Sequence, residues 1–315
     1  MSGSSARAAA AAIDIGTNSV LLSIAARGPG GPVALLERCT ITRMGEGVDK
    51  TRRLAPAAVE RNLECLRAYA AELRAHGNPP LDVVGTSALR DAAGAGEFLD
   101  EAERILGKRP RVIAGEEEAA LTFSGALSGL SLTGPLLVYD IGGGSTELIL
   151  GDAAAPRAPE SRVSLDLGSV RLFERHIKSD PPSAQELAAV RADVAEQLAS
   201  APPLAGRRSA PITLVGVAGT VTTLKALELR LPAYDGARVH GAVLTLEAVE
   251  TLCDSLAGLT LAQRQQLPGL EPKRADVIVA GAIIVREVLR AAGATESLVS
   301  DRGVRFGLLE NLLEG

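Results

Sequence analysis

Apolar stretches broken by glycine set the rhythm at the start of the chain. Ile13 leads into a turn at Gly16, Ser19 to Ala26 reads as the strand returning, and Val33 to Arg43 alternates well enough for a third strand. Ala57, Ala58, Val59, Leu63, Leu66, Tyr69, Ala70 and Leu73 then recur at helical spacing. They predict a helix from Ala55 to His76, stopped by Gly77-Asn78-Pro79-Pro80. Three strands before the first helix is not how a dinucleotide-binding fold begins. Leu81 to Gly85 reads as a short buried strand, Ala95 to Leu106 as a helix, Arg111 to Ala114 as a strand and Glu116 to Leu127 as a helix. Strands and helices now alternate, so a sheet of mixed direction with helices on its faces is expected.

The second half repeats the plan. Leu136 to Leu150 predicts a hairpin, Arg162 to Leu167 a strand, and Ala184 to Ala199 an amphipathic helix after Pro181-Pro182. Pro202 to Pro211 reads as a loop and Ile212 to Val217 as an apolar strand, followed by a helix to about Leu229. Helical patterns follow over Leu246 to Leu256, Arg274 to Ala292 and Arg302 to Leu313. Twice, then, the order is hairpin, third strand, helix. The expected fold is α/β, a duplicated ribonuclease-H-like unit with a cleft between the halves. The expected domains are 1–125 and 126–315, with the last helix able to pack back on the first.

The two hairpin turns carry the chemistry. Asp14-Ile15-Gly16-Thr17-Asn18-Ser19 and Asp140-Ile141-Gly142-Gly143-Gly144-Ser145-Thr146 both run aspartate, glycine, hydroxyl residues after an apolar stretch. Glycine lets the backbone approach a ligand closely, and successive amide N–H groups form a nest for phosphate oxygens. A carboxylate beside a phosphate is repulsive unless a cation lies between them, so Asp14 and Asp140 point to Mg²⁺ or another divalent cation. One such turn alone could also be a capped hairpin, the lesser reading; for the pair it is weaker still.

Composition narrows the class. The chain has 315 residues, 46% of them hydrophobic but only 2% aromatic, so two cores of Ala, Leu, Val and Ile are expected. A net charge of −5 argues against a broad grip on nucleic acid. Cys39, Cys65 and Cys253 are far apart and lack metal-binding spacing, which suits a reducing compartment. The first residues lack the pattern of a secretory signal, and no run approaches the roughly 18 apolar residues needed to span a bilayer. A cytoplasmic protein is therefore expected. His76, His176 and His240 are dispersed, giving little support to a histidine-based triad.

Five segments together carry a family resemblance: Ile13 to Ser19, Thr86-Ser87-Ala88-Leu89-Arg90-Asp91-Ala92, Gly115-Glu116-Glu117-Glu118-Ala119, Asp140 to Glu147, and Val215 to Thr220. In that order they resemble the exopolyphosphatase and guanosine pentaphosphate phosphohydrolase family, within the actin, Hsp70 and sugar-kinase superfamily. The chain looks like a short, two-domain member. The resemblance implies metal-dependent hydrolysis of the terminal phosphoanhydride of inorganic polyphosphate, or of the 5′ γ-phosphate of pppGpp. It implies Glu118 as the base that activates water and Arg90 as a cation for phosphate. Gly16, Thr17, Asn18, Ser19, Gly142, Gly143, Gly144, Ser145, Thr146, Gly219 and Thr220 would bind substrate. Asp14, Asp140 and Glu147 would hold the metal or its waters.

Other readings of these residues stay open. Glu116 to Glu118 also suit a helix N-terminus, and adjacent helical side chains diverge by about 100°, so one of them faces the chemistry and Glu117 is the alternative to Glu118. Arg90 could pair with Asp91 on the surface, Glu147 could point outward from its strand, and Gly219-Thr220 could be a packing turn. Ala120 stands where the family usually has arginine, and Val217-Ala218-Gly219 is less glycine-rich than a nucleotide loop, which favours polyphosphate over a guanine nucleotide. A guanosine-phosphate sensor and an ATP-dependent actin-like kinase are the remaining alternatives. A homodimer is a reasonable expectation.

Overall fold

The computed structural model describes residues 9–29, 31–205 and 212–314. They fall into two compact units: the chain up to Gly129 together with the residues from Val304 onward, and Leu130–Gly303.

In the first unit, strands β1 (Ala9–Ile15), β2 (Ser19–Gly28) and β3 (Gly31–Ile41) form an antiparallel meander. Strands β4 (Leu81–Gly85) and β5 (Arg111–Val112) then add in parallel on the other side of β1. The order is β3-β2-β1-β4-β5. Strand β1 is covered on both faces, which explains its run of alanines. Ala11, Ile13 and Ile15 belong to a core with Leu66, Tyr69 and Leu73 of the Pro56–Ala75 helix. Ala10 and Ala12 belong to another with Leu121, Leu308 and Leu309, from the helices Gly115–Leu127 and Val304–Glu314. Alternate residues along a strand serve opposite faces, so each layer takes its own half of β1.

The second unit repeats this topology with β6 (Pro135–Ile141), β7 (Thr146–Asp152), β8 (Ser161–Leu165), β9 (Thr213–Val217), β10 (Val243–Thr245) and β11 (Glu296–Val299). Its order is β10-β11-β9-β6-β7-β8. Again three antiparallel strands are followed by two parallel ones, β9 on β6 and β11 on β9, with β10 added antiparallel at the edge. One large apolar cluster fills this unit, drawing on the helices Ala184–Ala199, Ala218–Glu228, Leu246–Gly258 and Ile278–Ala291. Both units are ribonuclease-H-like.

Several expected bounds move. The helix expected from Arg274 begins at Ile278, after a 3-10 turn over Pro272–Arg274, and the strand expected to Ala114 ends at Val112. Within the expected loop from Pro202, Pro202–Ala205 is a short helix, while 206–211 lie outside the described residues. The N-terminal segment read for a signal likewise lies outside them up to residue 8. No described helix is long and apolar enough to cross a membrane.

Candidate functional site

Each unit places its glycine turn between its first two strands, and the two turns close alike. Gly16 N donates to Ser19 O at 3.0 Å, and Gly142 N donates to Ser145 O at 3.0 Å. Each turn is also held from behind by the segment that follows the third strand. Thr17 O accepts from Gly45 N (2.9 Å), and Asn18 O accepts from Thr42 N (3.1 Å) and Arg43 N (3.0 Å). In the second unit, Gly142 O accepts from Ser169 N (3.0 Å), and Gly143 O accepts from Val170 N (2.9 Å) and Arg171 N (3.1 Å). Glycine is required in both backing segments. A Cβ on Gly45 would lie 2.3 Å from Thr17 Cγ2, and one on Gly168 would lie 2.1 Å from Gly143 O. Hydroxyls complete the turns: Thr17 Oγ1 shares a hydrogen bond with Ser87 Oγ (2.7 Å), and Thr146 Oγ1 donates to Leu167 O (2.6 Å).

The copies differ where charge matters. In β6 and β7, Asp140 lies directly opposite Glu147, which in turn lies opposite Ser164 of β8. Opposed residues of an antiparallel pair share a face, so the three form one row. In the first unit the same row is Asp14, Leu21 and Cys39. Only the second turn therefore carries a second carboxylate. Glu147 is 3% exposed and accepts from Ser164 Oγ at 2.7 Å, so it is an inward residue. No group of three or more His, Cys, Asp or Glu residues forms a ready-made metal cage among the described residues. Two hard carboxylates in one row nevertheless suit Mg²⁺, which usually takes one or two carboxylates and fills its octahedron with water and phosphate oxygens.

The helix Gly115–Leu127 opens with its three glutamates in different surroundings. Glu116 and Glu117 are exposed, and Glu117 Oε1 accepts from Arg111 Nη1 at 2.7 Å. Glu118 is 7% exposed, with Arg90 Nη1 2.5 Å from its Oε2. Arg90 comes from the short helix Ser87–Asp91 and also donates to Ile113 O at 3.0 Å, which fixes the guanidinium. Burial pushes the Glu118 carboxyl up from its ordinary value, while the charge and hydrogen bond of Arg90 oppose that rise. The result is a buried carboxylate held by a cation whose remaining donors can meet an anion.

At the third predicted contact, the backbone turns at Ala218 with φ 69°, a left-handed conformation that disfavours a Cβ. The Arg274 guanidinium lies against Gly219, where a Cβ would fall 2.0 Å from its Nη1, and Thr220 is buried against Gly281. Reading the sequence missed Ser87, Ser164, Gly168 and Arg171, whose Nε donates to Gly144 O at 2.6 Å. The signal for Gly168 was the duplication itself, a glycine after the third strand in each half.

Two ribonuclease-H-like units, each with a glycine turn behind an aspartate, define the class. The chain belongs to the Ppx/GppA phosphatase family, whose signature matches residues 23–314. It is 40% identical to exopolyphosphatase 2 of Mycobacterium tuberculosis, over 96% of this chain and 98% of that protein. A solved exopolyphosphatase-like protein superposes with a TM-score of 0.88 at 36% identity, covering 96% of this chain and 97% of the other. The guanosine-5'-triphosphate,3'-diphosphate pyrophosphatase of Aeromonas salmonicida is 32% identical over 96% of this chain, but 59% of its own length.

Proposed function

We propose that this protein is a metal-dependent exopolyphosphatase, hydrolysing the terminal phosphoanhydride of inorganic polyphosphate to orthophosphate and a chain one unit shorter. The observation that carries the reading is the pair of buried Glu118 with half-buried Arg90, because hydrolysis of a polyanion needs a positioned base and a fixed cation together. Glu118 takes a proton from the attacking water as its oxygen bonds to the terminal phosphorus. The bond from that phosphorus to the bridging oxygen breaks, and the electron pair leaves with the shortened chain. Arg90 offsets charge on the equatorial oxygens while keeping Glu118 ionised. Amides of the glycine turns orient the phosphates, with Thr17, Ser19, Ser145 and Thr146 lining the same turns. Within the second unit Asp140 and Glu147 are the residues that would hold Mg²⁺, and Asp14 is the corresponding carboxylate of the first unit. When bound, the cation neutralises phosphate charge and so removes the repulsion these carboxylates would otherwise exert.

The name of the Aeromonas relative makes pppGpp the second substrate to try. The likeness to exopolyphosphatase 2 over 98% of that protein's length favours polyphosphate. Phosphate release from long polyphosphate, tripolyphosphate, pppGpp and ATP, with Mg²⁺ and after chelation, tests the reading. Fastest Mg²⁺-dependent release from polyphosphate is expected. Release confined to pppGpp would move the assignment to the guanosine branch, and release confined to ATP would reject both.

A further inference from the structure

Three consecutive carbonyls of the second turn are held on one side. Gly142 O and Gly143 O are taken by the backbone of Ser169, Val170 and Arg171, and Gly144 O is taken by the Arg171 side chain. In a trans peptide the carbonyl of one residue and the N–H of the next point in opposite directions. Fixing those three oxygens at the back therefore turns the N–H groups of Gly143, Gly144 and Ser145 to the front. Among the described residues, none of these three amides donates to a protein group.

We infer that Arg171 is a positioning residue for this turn: its guanidinium fixes the Gly144 carbonyl and so aims the Ser145 amide beside those of Gly143 and Gly144, completing a three-donor nest for a phosphate group. The inference rests on the phosphoanhydride reading of the turn. Arg171 is suited to the task because it is 7% exposed and because its own backbone N–H holds the neighbouring Gly143 carbonyl at 3.1 Å. One residue thus grips two adjacent peptides of the turn. The first turn has no counterpart, since its Thr17 and Asn18 carbonyls are held by backbone amides alone. A charged donor can be supplied or withdrawn by substitution without breaking the main chain, so this turn is the testable one.

The test is a titration of wild type, Arg171→Met and Arg171→Lys with tripolyphosphate and Mg²⁺, following binding by calorimetry and the amide shifts of Gly143, Gly144 and Ser145 by NMR. Wild type should bind with shifts at all three amides. Arg171→Met keeps the bulk but donates nothing, and should bind roughly ten-fold or more weakly, as expected for loss of a charge-assisted hydrogen bond, with the Ser145 shift lost first. Arg171→Lys keeps charge and one donor direction and should lie between the two. Binding by either variant within two-fold of wild type, with the three shifts intact, overturns the inference. Should Arg171→Met fail to fold, Arg171→Lys alone decides by the same criterion. Wild type that binds no tripolyphosphate overturns the exopolyphosphatase reading itself, an outcome distinguishable because it appears before any substitution is made.

Discussion

Arg90 binds Glu118 through the same Nη1 that holds the Ile113 carbonyl, so the buried base is tied through one nitrogen to the strand-to-helix segment ahead of it. Two consequences follow for catalysis. Glu118→Gln should leave substrate binding intact and lower turnover by roughly 10²- to 10⁴-fold, the usual contribution of a general base. Glu117→Gln should change turnover little, because Glu117 is committed to an exposed pair with Arg111. Steady-state phosphate release from both variants checks the assignment, and a larger loss at Glu117 would reverse it.

The pH dependence has a definite sign. Burial raises the Glu118 carboxyl, and only its ionised form accepts a proton from water. The acid limb of kcat/KM should therefore lie above the ordinary glutamate range. Arg90 pulls the carboxyl down, so Arg90→Met should move that limb to still higher pH, with Arg90→Lys recovering part of the shift. A limb that stays put in Arg90→Met would show that the pair does not tune the base.

Asp140 and Glu147 share a row, so their contributions should be coupled. Asp140→Asn and Glu147→Gln should each raise the Mg²⁺ concentration needed for half-maximal activity, because an amide is a poorer ligand than a carboxylate for a hard cation. The double variant should cost less than the sum of the two. Asp14→Asn should have the milder effect, since Leu21 stands where Glu147 does in the other row. Metal titrations of activity for the four variants distinguish coupled from independent behaviour.

Ala218 sits at φ 69°, and a Cβ in that conformation costs about 1 kcal/mol. Ala218→Gly should stabilise the second unit by about that amount and raise its melting transition by about 2–4 °C. A differential scan reads this directly; an unchanged or lowered transition would mean that the methyl group has a packing role outweighing the backbone cost.

Elements with a clear period were legible in the sequence. The helix Ala184–Ala199 and strand β4 have the expected bounds, since each is a periodic or apolar stretch fenced by proline or glycine. Strands β10 and β11 were not, because three or four residues are too few to display alternation. The inward direction of Glu147 was hidden for a related reason. Residues Thr146 to Gly151 of β7 are buried on both faces, so the strand reads as a continuous apolar run in which neither side is marked. Choosing Glu118 over Glu117 needed three dimensions as well: both are glutamates in one turn of one helix, and only the fold decides which meets Arg90 and which meets Arg111. Arg171 was invisible because its value lies in reaching the carbonyl of a residue 27 positions earlier.

The last helix, Val304–Glu314, shares a core with Ala10, Ala12, Ala25 and Val84, although the whole of the second unit separates them in the chain. During synthesis the second unit has its full sequence available before the first does, which inverts the usual N-terminal-first order of domain completion. The alanine-lined face of the first sheet must wait through that interval with only the Gly115–Leu127 helix to cover it. A stop codon a dozen residues early would thus damage the oldest part of the nascent chain while sparing the newest.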